Sequence, residues 1–295
     1  MKKELFRGIA TAMITPMAAD GSVDKEAFRR MVDFQIENGI DALAVAVTTG
    51  EAPTLTDEEH VDLIRLAVEQ AAGRVPVIAG TGSNFTAHAV DMTKEAEKAG
   101  ADAVLCVTPY YNKCTQRGLV ASYYAIADCS SLPVIVYNVP GRTGVNILPD
   151  TYVRLAEHDN IVAIKEANGN ISSVAETMAK CGDRIALYSG NDDQIVPILS
   201  LGGIGCISVL SNIMPRQTKE ITDRWFAGDV RGAAALQLRY KALIDALFCE
   251  VNPIPAKAAA AAMGLCEDVL RLPLVPMEDA HRQELLRLMR AEGLV

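Results

Sequence analysis

Positive charge is in short supply: 28 lysines and arginines face 37 aspartates and glutamates, for a net charge of −9 and a pI near 5.0. That balance argues against nucleic acid or an anionic membrane as the main partner, and leaves a small acidic substrate open through a local basic pocket. Metal-binding patterns are missing as well. The seven cysteines are odd in number and contain no Cys-x-x-Cys pair, and His60, His88, His158 and His281 show no His-x-x-x-His spacing. Neither a disulfide framework nor a zinc centre is indicated, no metal is expected, and the cysteines read as small core residues. No apolar run is long enough to span a bilayer, and none follows Lys2 and Lys3 to make a signal peptide, so a cytoplasmic address is expected. A low-complexity linker is lacking too.

What is present is core-forming material: 295 residues, 50% hydrophobic and 22% charged, enough for one large α/β barrel. Short β-rich runs at 9–14, 42–47, 75–79, 103–107, 134–138, 161–165, 185–189 and 206–209 make eight candidate strands. Between them lie longer stretches with apolar residues three and four apart, as at 25–37, 57–71, 86–98 and 117–128. Thr56 and Glu59 have the spacing of a capping box. Almost no run suits an antiparallel hairpin, so the strands are expected to be parallel, joined by helical crossovers, and closed into a TIM (β/α)8 barrel over residues 1–226. From 227 to 295 the rhythm becomes helical, with Pro253, Pro255, Pro273 and Pro276 at the joins. This C-terminal extension is expected to pack on the barrel, because 256–263 is nearly all small and apolar.

The best single clue to chemistry is Lys165, at the end of the apolar run Ile161-Val162-Ala163-Ile164. A buried ammonium must be paired or neutralised, and a neutral amine is a nucleophile suited to Schiff-base chemistry with a carbonyl substrate. The same segment reads equally as a strand exit with the amine in solvent or paired with Glu166. Catalytic groups of such barrels gather at the carboxyl ends of strands. There the sequence puts Thr48-Thr49-Gly50-Glu51, Thr108-Pro109-Tyr110-Tyr111-Asn112, Tyr137-Asn138-Val139-Pro140-Gly141-Arg142-Thr143-Gly144, Lys165-Glu166 and Ser189-Gly190-Asn191. Taken singly, Tyr137 reads as core, Gly141-Arg142-Thr143-Gly144 as a turn, and Thr48-Thr49 as loop hydrogen bonding. Gly80-Thr81-Gly82-Ser83-Asn84-Phe85 lacks the last glycine of a dinucleotide fingerprint, so it reads as a barrel loop.

Together with Gly80-Thr81-Gly82 and Asn252-Pro253-Ile254-Pro255, in this order and nearly end to end, these strings resemble the dihydrodipicolinate synthase family. That family lies in the pyruvate-dependent class I aldolase superfamily, with N-acetylneuraminate lyase. The resemblance implies condensation of pyruvate with aspartate β-semialdehyde to 4-hydroxy-tetrahydrodipicolinate, in lysine and diaminopimelate biosynthesis, with no cofactor. It implies Lys165 as the imine-forming residue, Tyr137 as proton donor and acceptor, and Thr48 and Tyr111 as its relay partners. Thr49, Ile207 and Gly190 would hold or border pyruvate, and Arg142 would bind the carboxylate of the semialdehyde. Arg142 separates this reading from a sibling lyase acting on a 2-keto-3-deoxy acid or an N-acetylneuraminate-like substrate, and the intact set Lys165, Tyr137, Thr48 and Tyr111 speaks against a barrel that only binds.

Departures from the family pattern are Val47 for glycine, Ala52 for serine, Cys114 for proline and Asn191 for aspartate. The resemblance further implies a homotetramer built as a dimer of dimers, with Tyr111 reaching into a neighbouring site. His60, Asn84 and Tyr110 match residues that line an allosteric lysine cleft, while His88 stands where lysine-inhibited relatives carry a glutamate. An imidazole in place of an anion implies weak or absent lysine feedback.

Overall fold

The structure is a computed structural model that describes residues 4–295; Lys2 and Lys3, read above for a leader, lie outside the described residues. Eight strands carry the chain around one closed parallel barrel: β1 (Gly8–Ala12), β2 (Ala42–Val45), β3 (Val77–Gly80), β4 (Ala103–Val107), β5 (Val134–Asn138), β6 (Ile161–Glu166), β7 (Ala186–Ser189) and β8 (Gly205–Ser208). β8 closes on β1, with Ala10 opposite Ile207. The barrel is therefore the TIM fold expected from the alternation of elements.

Side-chain alternation sorts each strand into two cores. Ala10, Ala12, Ala42, Ala44, Ala103 and Ala163 belong to one packed cluster with Ile78, Leu105, Ile135, Tyr188 and Ile207, the barrel interior. Alternate residues such as Ile9, Leu43, Val104, Val136 and Leu187 join a larger cluster under the surrounding helices. Small side chains inside leave room for Tyr137 and Tyr188, the latter donating from its Oη to the Phe6 carbonyl ahead of β1 (2.7 Å). At the opposite rim, Asp41 and Asp102 carboxylates accept the first ladder amides of neighbouring strands, from Ile9 and Val77 (2.8 Å each).

Strand boundaries differ from the sequence reading where the backbone turns. The 42–47 run stops at Val45, because Ala46 has φ 51° and the chain winds into a single 3₁₀ turn, Thr48–Gly50. β6 instead extends one residue, so Lys165 lies within a strand and Glu166 ends it.

The crossovers include α1 (Lys25–Glu37), α2 (Asp57–Ala71), α3 (Thr86–Lys98), α4 (Gln116–Asp128), a four-residue turn α5 (Pro140–Thr143) and α6 (Pro149–Leu155). After these come α7 (Ile171–Cys181), α8 (Ile195–Ser200) and α9 (Pro215–Phe226). The Thr56–Glu59 capping box forms at the start of α2, each side chain meeting the other's backbone amide. Four helices complete the chain: α10 (Val230–Arg239), α11 (Lys241–Ala246), α12 (Ile254–Ala262) and α13 (Asp279–Ala291). α10 and α11 are two separate helices that meet at Tyr240. α12 is buried along most of its length, as its alanines require. Among the described residues no helix is long and apolar enough to cross a membrane.

Candidate active site

Lys165 and Tyr137 are brought together by register. β5 and β6 are paired so that Tyr137 lies opposite Lys165, and the lysine amine sits 4.2 Å from the centre of the tyrosine ring. Lys165 is 5% exposed. Among the described residues no carboxylate stands within ion-pair distance of its amine. Burial therefore lowers its pKa from 10.5 to about 8; Cys206 and Asp192 oppose the shift, and Arg142 adds to it. The alternative pairing with Glu166 is not formed. Successive strand residues face opposite ways, so Glu166 points out of the barrel, where Tyr152 Oη (2.8 Å), Asn138 Nδ2 (2.9 Å) and the Asn168 amide (2.9 Å) donate to it. Its pKa rises to about 7 because burial outweighs these bonds.

Burial also raises the Tyr137 phenol to about 12, with Arg142 and a hydrogen bond to the Thr48 side chain working against the shift. Thr48 reaches Tyr137 because the Thr48–Gly50 turn is held from below and behind. Thr15 Oγ1 donates to the Gly50 carbonyl (2.7 Å), and Asn252 Nδ2 donates to Thr49 Oγ1 (3.0 Å). Glu51 follows in the left-handed region (φ 57°) and forms an ion pair with Lys257 of α12, both side chains fully buried. Lys257 Nζ also donates to the Val269 carbonyl (2.8 Å).

Arg142 stands on the short turn α5, started by Pro140 and closed by Gly144 in the left-handed conformation. Its Nη2 donates to the backbone carbonyl of Asn252 (3.1 Å). Gly190 answers a close approach: a Cβ there would lie 3.2 Å from Lys165 Cε and 2.8 Å from the Ala167 Cβ. Ile207, fully buried in β8, belongs to the interior cluster that holds Tyr137.

A cavity of about 360 Å³ opens at this end of the barrel; Thr48, Tyr137, Arg142, Tyr110, His60 and His88 all contribute to its wall, as does Val47. His60 Nε2 donates to the Gly80 carbonyl (2.6 Å), and His88 Nε2 lies 3.0 Å from Asp57 Oδ1. Burial lowers the His60 pKa, so its imidazole is favoured neutral. Asn84 does not line this cavity; its backbone carbonyl accepts from Asn112 Nδ2 (2.8 Å). Tyr111 stays apart: it is 90% exposed, has φ 71°, and does not line the cavity of its own chain.

Sequence reading passed over the roles of Asn252 and Lys257. In the sequence Asn252 is one letter of a proline-rich string, and Lys257 lies inside an apolar helix. Like Lys165, Lys257 is a lone charge in an apolar run, here among buried alanines. Among the described residues no group of three His, Cys, Asp or Glu side chains is placed to hold a metal ion.

A closed (β/α)8 barrel with a buried, unpaired lysine at the carboxyl end of β6 has the architecture of the class I aldolases, lyases that work through an imine. A profile of the Dihydrodipicolinate synthetase family matches residues 5–292, and the chain belongs to that family. It is 50% identical over 291 residues to 4-hydroxy-tetrahydrodipicolinate synthase of Pelobacter propionicus, covering 99% of this chain and all of the relative. It is 52% identical over 292 residues to the same enzyme of Lachnoclostridium phytofermentans, covering 99% of each. Dihydrodipicolinate synthase of Thermotoga maritima superposes with a TM-score of 0.97 at 43% identity, over 99% of this chain and 100% of that one.

Proposed function

We propose that the chain condenses pyruvate with aspartate β-semialdehyde to 4-hydroxy-tetrahydrodipicolinate, as a cytoplasmic enzyme of lysine and diaminopimelate biosynthesis. The observation that carries this reading is the Lys165 amine, unpaired beside Tyr137 with its pKa lowered to about 8. At that value roughly a tenth of the amine is neutral near pH 7, some hundreds of times the fraction of an ordinary lysine.

The neutral amine attacks the pyruvate ketone; the carbinolamine loses water and leaves a protonated imine. That cation draws electrons from the methyl group, which gives up a proton, and the enamine carbon attacks the aldehyde of the second substrate. The new alkoxide takes a proton and becomes the hydroxyl. The amino group of the semialdehyde then adds to the imine carbon, closing the ring and expelling Lys165. Tyr137 hands protons across these steps. With a pKa near 12 it is protonated at rest, so it gives a proton first and regains it from the hydroxyl chain through Thr48, which Tyr111 of a second copy would extend. Thr49 and Ile207 hold pyruvate, Gly190 leaves space beside the imine, and Arg142 takes the semialdehyde carboxylate with its forked donors.

Turnover of both substrates, coupled to an NADPH-dependent reductase of the product, tests the reading. Wild-type turnover should vanish in Lys165→Ala and fall roughly a hundredfold or more in Tyr137→Phe. Borohydride trapping of pyruvate on Lys165 without turnover would sink the assignment of the second substrate while keeping the imine chemistry.

A further inference from the structure

Among the described residues the Thr49 hydroxyl has a donor but no acceptor. Asn252 Nδ2 donates to its oxygen at 3.0 Å, and among the described residues nothing accepts its own hydrogen. Asn252 is 5% exposed, and its Oδ1 is buried without any hydrogen-bond partner. An orphaned buried acceptor costs stability, so this amide is not satisfied by the fold alone. The same residue's backbone carbonyl accepts from Arg142 Nη2 at 3.1 Å. Asn252 therefore touches both side chains that the reading above assigns to substrate carboxylates. It stands just ahead of α12, which the buried Glu51–Lys257 pair anchors to the end of the Thr48–Gly50 turn.

We infer that Asn252 is a positioning residue that sets the polarity of the Thr49 hydroxyl: by occupying the oxygen as a donor, it leaves the hydrogen to point at the pyruvate carboxylate. The inference rests on the proposed function, in which Thr49 meets that carboxylate. A hydroxyl can accept and donate at once, and an anion binds only the hydrogen end. An aspartate at 252 would reverse the arrangement, since a carboxylate accepts only; the Thr49 hydrogen would turn away from the substrate. Alanine would leave the hydroxyl unbiased and free to rotate.

Steady-state kinetics on both substrates, with the pyruvate dependence of borohydride trapping on Lys165 as a second readout, distinguish these states. Asn252→Asp should raise the KM for pyruvate about tenfold or more, and Asn252→Ala by about threefold, with kcat changed by less than about twofold. A Thr49→Val/Asn252→Ala double variant should bind pyruvate no worse than Thr49→Val, because Asn252 acts through that hydroxyl. Three results would overturn the inference: alanine costing as much as aspartate, kcat falling while KM holds, or additive losses in the double variant. If Asn252→Asp does not fold, the Thr49→Val cycle with Asn252→Ala decides alone. Wild-type enzyme that traps pyruvate but does not turn over would refute the proposed function instead, and trapping would still judge Asn252.

Discussion

Lys165 and Glu166 are neighbours in one strand with opposite pH dependences. The lysine holds its proton less tightly in the fold than in the unfolded chain, its pKa falling from 10.5 to about 8. Below about 8 both states are protonated and the buried ammonium costs its full amount, on the order of 3 kcal/mol; the cost fades as pH rises from 8 towards 10.5. For Glu166, raised from 4.5 to about 7, the cost is complete above 7 and fades as pH falls towards 4.5. Lys165→Met should therefore be inactive yet more stable than wild type near pH 7, by up to about 3 kcal/mol, with the gain shrinking near pH 10. Urea unfolding of both proteins at the two pH values checks this; a less stable methionine variant at neutral pH would mean the amine is held favourably after all. The strand position of Lys165 was legible because a lone charge interrupts an apolar run. Which way it faced was not, because that depends on the register of β5 against β6.

The elements that build the mouth come from distant parts of the chain. Eight strands could be read from β-rich runs, while the end of β2 was misplaced: Ala46 adopts φ 51° beside Gly80, where a Cβ would lie 2.2 Å from the Ala46 carbonyl oxygen. That turn is decided by backbone packing between two strands and leaves no local propensity signal. The Glu51–Lys257 pair is equally non-local, joining the end of a 3₁₀ turn to α12. Removing one member strands a buried charge, so Lys257→Met alone should cost about 3–5 kcal/mol, whereas Glu51→Gln/Lys257→Met should recover much of the loss. Denaturation midpoints for the single and double variants give the answer. A double variant as unstable as the single would show that the shape of the pair, and not its charge, holds α12 to the turn.

At the scale of the whole molecule, the exposed Tyr111 concerns assembly. Its phenol is 90% exposed, its backbone has φ 71°, and it does not line the cavity of its own chain. If Tyr111 serves a neighbour's site, mixing Lys165→Ala with Tyr111→Phe chains should give more activity than the two separately, since each mixed pair holds one complete site. Analytical ultracentrifugation must show mixed oligomers; their presence without a gain would exclude sharing. The sequence by itself determined the barrel, its parallel order and the residue types at the strand ends, because hydrophobic period and turn chemistry are local properties. Only the tertiary structure decided that Lys165 faces Tyr137, that Glu166 turns away, and that Asn252 and Lys257 brace the mouth. Those facts depend on barrel closure and on helices packed from far along the chain, where burial and not spacing sets what each charge can meet.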